Sequence, residues 1–122
     1  MNKNPKVLYV DDEQINLMMF EISFAEKFDL VTASNGMEGL KILENGPTIN
    51  VVVSDLKMPG LDGIEFIKKA KERFPRKKYF LLTGFEMTPD IQLSLDSGLI
   101  HKCMSKPFNK KEIETEIEKY TK

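Results

Sequence analysis

The chain has 122 residues, 18 of them basic and 19 acidic, which leaves a formal net charge of -1. This length suits one domain over residues 1–122, and the near-neutral charge argues against direct binding of nucleic acid through its phosphates. No apolar run is long enough to span a bilayer, and the polar start is unlike a secretory signal. One cysteine, Cys103, excludes an internal disulfide. We therefore expect a globular, cytoplasmic protein that binds no membrane.

Short runs rich in β-branched residues alternate with longer stretches of helical spacing. In chain order, the predicted strands cover Lys6–Val10, Leu30–Ala33, Ile49–Val53, Tyr79–Leu82 and Ile100–Met104. The stretch after the first strand predicts a helix with one apolar face, made of Ile15, Met18, Met19, Ile22 and Ala25. The alternation as a whole is typical of repeated β-α units.

Later helix starts are marked by capping residues. In three places an Asn or Asp precedes a Glu by three residues, the spacing of a capping box: Asn35 and Glu38, Asp62 and Glu65, Asn109 and Glu112. Thr88 followed by Pro89 predicts a further start, with proline at the first helical position.

Two predicted strands are apolar without interruption, at Val7–Val10 and Val51–Val53. Strands covered by helices on both faces have this composition, which indicates a parallel sheet. Five β-α units with right-handed crossovers predict a doubly wound α/β fold of three layers. Periodicity does not give the order of the strands.

Polar side chains follow four of the predicted strands where each strand ends. They are Asp11 and Asp12 after the first, Ser54 and Asp55 after the third, Thr83 after the fourth, and Ser105 and Lys106 after the fifth. The carboxyl ends of parallel strands share one edge, and three carboxylates meeting there repel one another unless a proton or a cation neutralises them. Oxygen ligands of this kind suit Mg²⁺ or Mn²⁺. Together with an ammonium and a hydroxyl, they predict a site that stabilises a transferring phosphoryl group.

Each of these signals also has a purely structural interpretation. Asp11 and Asp12 suit the N-cap of a helix, where Asp favours the helix dipole. Asp55 suits a turn, Thr83 a loop start, and Lys106 a solvated surface. Their occurrence at successive strand ends, in compatible order, favours the phosphoryl-transfer site.

Four short motifs, in this order and spacing, resemble the receiver domains of two-component response regulators over nearly the whole chain. They are Val10-Asp11-Asp12-Glu13, the segment from Asp55 to Gly63, Leu82-Thr83-Gly84 and Ser105-Lys106-Pro107-Phe108. The resemblance implies a flavodoxin-like, CheY-like sheet of strand order 2-1-3-4-5 with five helices. It also implies a phosphorylatable signalling switch in a phosphorelay.

The resemblance assigns roles at the acidic cluster. Asp55 would accept the phosphoryl group, and Asp12 and Asp55 would bind Mg²⁺ directly. Asp11 would act mainly through a bound water, and Lys57 would contribute its backbone carbonyl.

It assigns further roles across the site. Lys106 would pair with Asp55 at rest and with the phosphoryl oxygens afterwards, and Thr83 would bind the phosphoryl group and move its loop. The Lys106–Pro107 peptide bond is expected to be cis. Receivers commonly have Tyr or Phe three residues before the lysine, where this chain has Cys103. We therefore expect Thr83 to move with a smaller or different change at the last strand, and Phe85 is a candidate to replace the missing aromatic residue.

The implied partners are a histidine kinase or phosphotransfer protein and an unidentified downstream protein, with the receiver a monomer or a phosphorylation-dependent homodimer. Such a domain catalyses only its own phosphoryl uptake and slow loss. One rival is a Mg²⁺-dependent phosphatase with an aspartyl-phosphate intermediate. Those enzymes typically have a second Asp two residues after the nucleophile, where this chain has Lys57, and no cap domain is visible in the sequence. A second rival is a receiver that binds partners without phosphorylation, which the complete set of site residues disfavours.

Overall fold

Strands and helices alternate through the part of the chain that the computed structural model describes, residues 5–46, 48–84 and 87–119. In chain order the elements are β1 (Lys6–Val10), α1 (Gln14–Phe24), β2 (Asp29–Ala33), α2 (Gly36–Asn45), β3 (Val51–Asp55), α3 (Gly63–Arg73), β4 (Lys78–Thr83), α4 (Pro89–Asp96), β5 (Lys102–Ser105) and α5 (Lys110–Lys119). None of the described helices is long and apolar enough to cross a membrane.

The strands form one parallel sheet in the order β2-β1-β3-β4-β5. The predicted fold class is confirmed, and so is the strand order implied by the resemblance. The bounds of β3 differ from the prediction, because backbone pairing continues through the polar end of the strand, where Asp55 lies opposite Leu82 of β4. Asp55 is therefore held by the sheet itself and does not belong to a turn.

Successive residues of each strand point to opposite faces of the sheet, and each face has its own buried cluster. Val7 and Tyr9 of β1 contact the cluster that α1 and α5 cover. Leu8 and Val10 contact the cluster beneath α2, α3 and α4. These two clusters on either side of the sheet produce the three layers.

The predicted helix starts are confirmed, although only one capping box is complete. Asp62 accepts a hydrogen bond from the Glu65 amide, and the Glu65 carboxylate accepts one from the Asp62 amide. Asn35 caps α2 in the same way, but the Glu38 carboxylate accepts from Ser34 instead. At α5 the side-chain Oδ1 of Asn109 accepts from the Glu112 amide, and at α4 the Thr88 hydroxyl oxygen accepts from the Ile91 amide.

The apolar face predicted for α1 is not the one that packs on the sheet. Ile15, Met18, Met19 and Ile22 are between 52% and 79% exposed. The buried face is made of Leu17, Phe20 and Phe24. Because α1 is apolar on nearly every side, periodicity alone did not distinguish the two faces, and the aromatic rings occupy the larger space against the sheet.

Candidate functional site

The three predicted carboxylates meet at the carboxyl edge of the sheet. β1 ends at Val10, whose partner in β3 is Ser54, so Asp11 and Asp55 leave adjacent strands at the same level. One oxygen each of Asp11, Asp12 and Asp55 lies within 4.8 Å of the others. Asp11 and Asp55 are buried, whereas Asp12 is exposed at the mouth of the site.

Neither member of the acidic pair is the N-cap of α1. That position is occupied by Glu13, whose side chain makes no capping hydrogen bond. Asp11 instead accepts a hydrogen bond from the Glu13 amide through Oδ1, at 3.0 Å. The N-cap interpretation of Asp11 and Asp12 is therefore wrong, and Asp12 remains directed to the solvent side of the cluster.

Lys106 bridges the two buried carboxylates. Its Nζ lies 3.0 Å from Asp55 Oδ1 and 3.1 Å from Asp11 Oδ2. The peptide bond from Lys106 to Pro107 is cis, as the resemblance implied. The Lys106 amide donates to the Thr83 carbonyl at 2.9 Å, which ties the segment after β5 to the end of β4. The resemblance implied the pairing with Asp55 but not the pairing with Asp11.

The ionisation of the pair follows from burial and charge. Burial raises the pKa of Asp55, and the hydrogen bond and charge of Lys106 offset part of that rise, while the neighbouring Asp11 adds to it. For Lys106, burial alone would lower the pKa, but its hydrogen bonds and attraction to Asp55 and Asp11 outweigh that effect and raise it. Lys106 therefore stays protonated and keeps its positive charge in the site.

Tyr9 is a member of the site that the sequence did not reveal. Its hydroxyl donates to Asp11 Oδ2 at 2.6 Å, and its ring stacks on Phe20. Burial raises the pKa of this tyrosine, and the hydrogen bond to Asp11 and the nearby charge of Asp11 raise it further. In an apolar strand a tyrosine is indistinguishable from an ordinary core residue. The one sequence feature that could have indicated a contact with Asp11 is the spacing, because residues two apart along a strand lie on the same face.

Gly63 allows the first turn of α3 to approach the acceptor closely. A Cβ built on this residue would lie 2.2 Å from the Asp55 carbonyl oxygen. The Gly63 amide also donates to the Leu56 carbonyl at 2.7 Å. The glycine in the motif therefore has a structural reason, since any side chain there would push α3 away from the end of β3.

The remaining predicted residues lie on β4, on β5 and in the segment after β3. Thr83 is buried at the end of β4, opposite Ser105. Lys57 is exposed in the segment between β3 and α3. Cys103 lies opposite Leu81 and packs at the edge of the cluster under α4, where burial raises the pKa of its thiol. Phe85 lies outside the described residues.

The donor set fits a hard divalent cation. Three carboxylates supply oxygen ligands within one ion's reach, and among the described residues Lys106 is the cation seen to pair with two of them. Mg²⁺ prefers oxygen ligands of this kind and retains several waters, for which the exposed side at Asp12 leaves access.

The model of the response regulator receiver domain family matches residues 7–118. The chain belongs to this family. Among related proteins, the receiver is 31% identical to sporulation initiation phosphotransferase F of Bacillus subtilis, over 96% of this chain and 94% of that protein. It is also 31% identical to the hydrogenase transcriptional regulatory protein HoxA of Cupriavidus necator, but its match covers 88% of this chain and only 22% of HoxA.

Solved structures agree with the family assignment. A response regulator receiver domain protein from Clostridium thermocellum superposes with a TM-score of 0.88 at 27% identity, over 95% of this chain and 93% of that chain. The chemotaxis protein CheY4 of Vibrio cholerae shares the fold, with a TM-score of 0.87 at 24% identity over 97% of this chain and 99% of that one.

Proposed function

We propose that this receiver is a phosphorylatable switch of a phosphorelay, in which Asp55 accepts a phosphoryl group from a histidine kinase or phosphotransfer protein. The observation that carries the proposal is the Lys106 ammonium, which lies 3.0 Å from Asp55 and 3.1 Å from Asp11. That cation already sits where negative charge would develop on the oxygens of a phosphoryl group joined to Asp55.

In the transfer step, a carboxylate oxygen of Asp55 would form a bond to phosphorus as the bond from phosphorus to the donor's histidine nitrogen breaks. Asp12 and Asp55 would hold Mg²⁺, with Asp11 acting through water and Lys57 through its carbonyl. When bound, the ion supplies positive charge that reduces repulsion between the carboxylates and the incoming phosphate. Lys106 would then move its ammonium from the free carboxylate to the phosphoryl oxygens, and the Thr83 hydroxyl would donate to them.

A protein donor requires a surface beside the site, and α1 provides an apolar one. Its exposed stripe, Ile15, Met18, Met19 and Ile22, begins one turn after Asp12. A cavity of about 430 Å³ adjoins the stripe, with Met19 on one wall and Lys106 and Phe108 on the other. Exposed apolar residues of this number on one helix indicate a protein-binding surface. We assign this surface to the phosphodonor.

The output of the switch would pass through the last strands. Thr83 ends β4, and its carbonyl accepts from the Lys106 amide, directly after β5, so movement of Thr83 would be transmitted to the end of β5. With Cys103 in place of an aromatic residue, the change at β5 would be small. We propose a downstream protein as its reader, with the receiver acting as a monomer or as a phosphorylation-dependent homodimer. The 31% identity to sporulation initiation phosphotransferase F supports a role in phosphotransfer.

The direct test uses a small phosphodonor. The protein is incubated with acetyl phosphate and Mg²⁺, and its intact mass is measured beside that of Asp55→Asn. We expect one added phosphate on the wild type and none on the variant. The proposal would be refuted if the wild type stayed unmodified and if beryllofluoride with Mg²⁺ also left its amide NMR resonances unchanged.

The rival phosphatase function predicts a different result. It requires steady turnover of varied phosphoesters, far beyond one equivalent of protein. The position two residues after Asp55 is an exposed lysine, Lys57, which makes this rival the weaker candidate.

A further inference from the structure

The hydroxyl of Tyr9 is fixed against the carboxylate of Asp11. Tyr9 is 1% exposed, and its ring lies parallel to that of Phe20, with ring centroids 4.0 Å apart and planes 10° apart. Burial and this stacking hold the ring where its hydroxyl donates to Asp11 Oδ2 at 2.6 Å.

Both oxygens of Asp11 are engaged. Oδ1 accepts from the Glu13 amide, whereas Oδ2 accepts from Tyr9 and from Lys106 at 3.1 Å. Tyr9 and Lys106 therefore share one oxygen. A neutral hydroxyl that donates to a carboxylate withdraws part of its charge, so that oxygen attracts the ammonium and any nearby cation less strongly.

We propose that Tyr9 is a positioning residue, which weakens the hold of Asp11 on Lys106 and on the divalent cation. Lys106 is then free to leave Asp11 for the phosphoryl oxygens, and Mg²⁺ stays weakly enough bound to exchange. The part concerning Lys106 rests on the proposed function, whereas the part concerning Mg²⁺ does not.

The test removes one oxygen atom. Tyr9→Phe keeps the ring and its stacking on Phe20. Tyr79→Phe is the matched control, since Tyr79 is also fully buried but its hydroxyl donates at 2.7 Å to the Phe74 carbonyl. Mg²⁺ affinity is measured by calorimetry without any phosphodonor. The maximal rate of phosphorylation is then measured with acetyl phosphate at saturating Mg²⁺.

We expect Tyr9→Phe to bind Mg²⁺ about threefold to tenfold more tightly, and to be phosphorylated more slowly by a similar factor, which is the size of the net effect of one hydrogen bond. Tyr79→Phe should change neither quantity. Mg²⁺ affinity should rise while the phosphorylation rate falls, and this combination excludes simple damage to the site. A merely destabilised site would bind Mg²⁺ more weakly and also react more slowly.

Unchanged or weaker Mg²⁺ binding by Tyr9→Phe would overturn the proposal, as would an unchanged or faster maximal rate. If the wild type takes up no phosphate at all, the proposed function fails. The Mg²⁺ measurement still decides the role of Tyr9 in that case, so the two failures are distinguishable.

Discussion

Asp55 is buried beside a second carboxylate and shares one ammonium with it. Burial and the charge of Asp11 raise the pKa of Asp55, so we expect its ionised form to destabilise the fold, a frequent property of functional sites. We expect Asp55→Asn to raise the free energy of unfolding by about 1 kcal/mol at neutral pH without Mg²⁺. Urea denaturation measures this difference. A less stable variant would show that Asp55 contributes more through its ion pair than it loses through burial and repulsion.

The same difference should depend on pH. Because the pKa of Asp55 is higher in the folded protein than in the unfolded chain, its protonated form favours folding. That contribution is fully present below the unfolded pKa and is lost as the pH rises through the folded pKa. The advantage of Asp55→Asn should therefore be smallest in acid, grow across that interval and stay constant above it.

Lys106 compensates two buried carboxylates at once. We expect Lys106→Met to lower the free energy of unfolding by about 1–3 kcal/mol without Mg²⁺, since Asp11 and Asp55 lose a charged partner. Added Mg²⁺ should restore part of the loss, because the ion also neutralises the cluster. Denaturation with and without Mg²⁺ measures both effects. Equal loss in the two conditions would contradict the charge-based explanation.

At this scale the sequence predicted which ionisable side chains lie together, but it did not predict the contacts that support them. Asp11, Asp12, Asp55 and Lys106 were predicted to converge because each follows a strand of a parallel sheet, and they do. Tyr9 was not predicted, because its hydroxyl becomes relevant only once the rotamers and the packing on α1 are known.

At the scale of elements, α1 has two apolar faces, one exposed and one buried against the sheet. Ile22 is 79% exposed, whereas Phe24 is fully buried. We expect Ile22→Ser to change the free energy of unfolding by no more than about 0.5 kcal/mol, whereas Phe24→Ala should lower it by about 3–5 kcal/mol. Thermal and chemical denaturation of the two variants make this comparison.

Substitutions on the exposed face of α1 should slow phosphorylation by a protein donor but not by a small phosphodonor. Ile22→Ser should be phosphorylated by acetyl phosphate at the wild-type rate but slowly by a cognate phosphotransfer protein. An equal rate from the protein donor would exclude this part of α1 from the docking surface.

The elements themselves were largely predictable, and the errors have physical causes. Capping residues located four helix starts correctly, because a side chain that bonds the first free amides is a local feature. The end of β3 was predicted too early, since its last residues are polar and only pairing with β4 extends it to Asp55. The core-facing side of α1 depends on the space beneath it, which no local pattern encodes.

At the scale of the whole molecule, the strand order places the proposed acceptor beside the strands that we propose transmit its phosphorylation. β3 pairs with β4, and β4 pairs with β5, where Thr83 lies opposite Ser105. We expect beryllofluoride with Mg²⁺ to shift the amide resonance of Thr83 strongly and those of Lys102–Ser105 weakly. Cys103→Tyr should enlarge the response of β5 if the aromatic residue is what amplifies it. An unresponsive last strand in the wild type would reject the proposed route.

The chain spans 22% of HoxA and 47% of the regulator PhoP of Bacillus subtilis, whose matching part is 31% identical. Those proteins contain much more than the region matched here. The activities of the whole regulators therefore do not transfer to this receiver, and its output partner has to be found by experiment.

Chemical trapping is the direct test of whether Asp55 accepts the phosphoryl group. After incubation with acetyl phosphate and Mg²⁺, borohydride reduces an acyl phosphate to the alcohol, which turns the phosphorylated aspartate into homoserine. Peptide mass spectrometry then locates the changed residue. We predict homoserine at position 55, with Asp11 and Asp12 intact. Homoserine at position 11 or 12, or at no position, would show that Asp55 is not the acceptor.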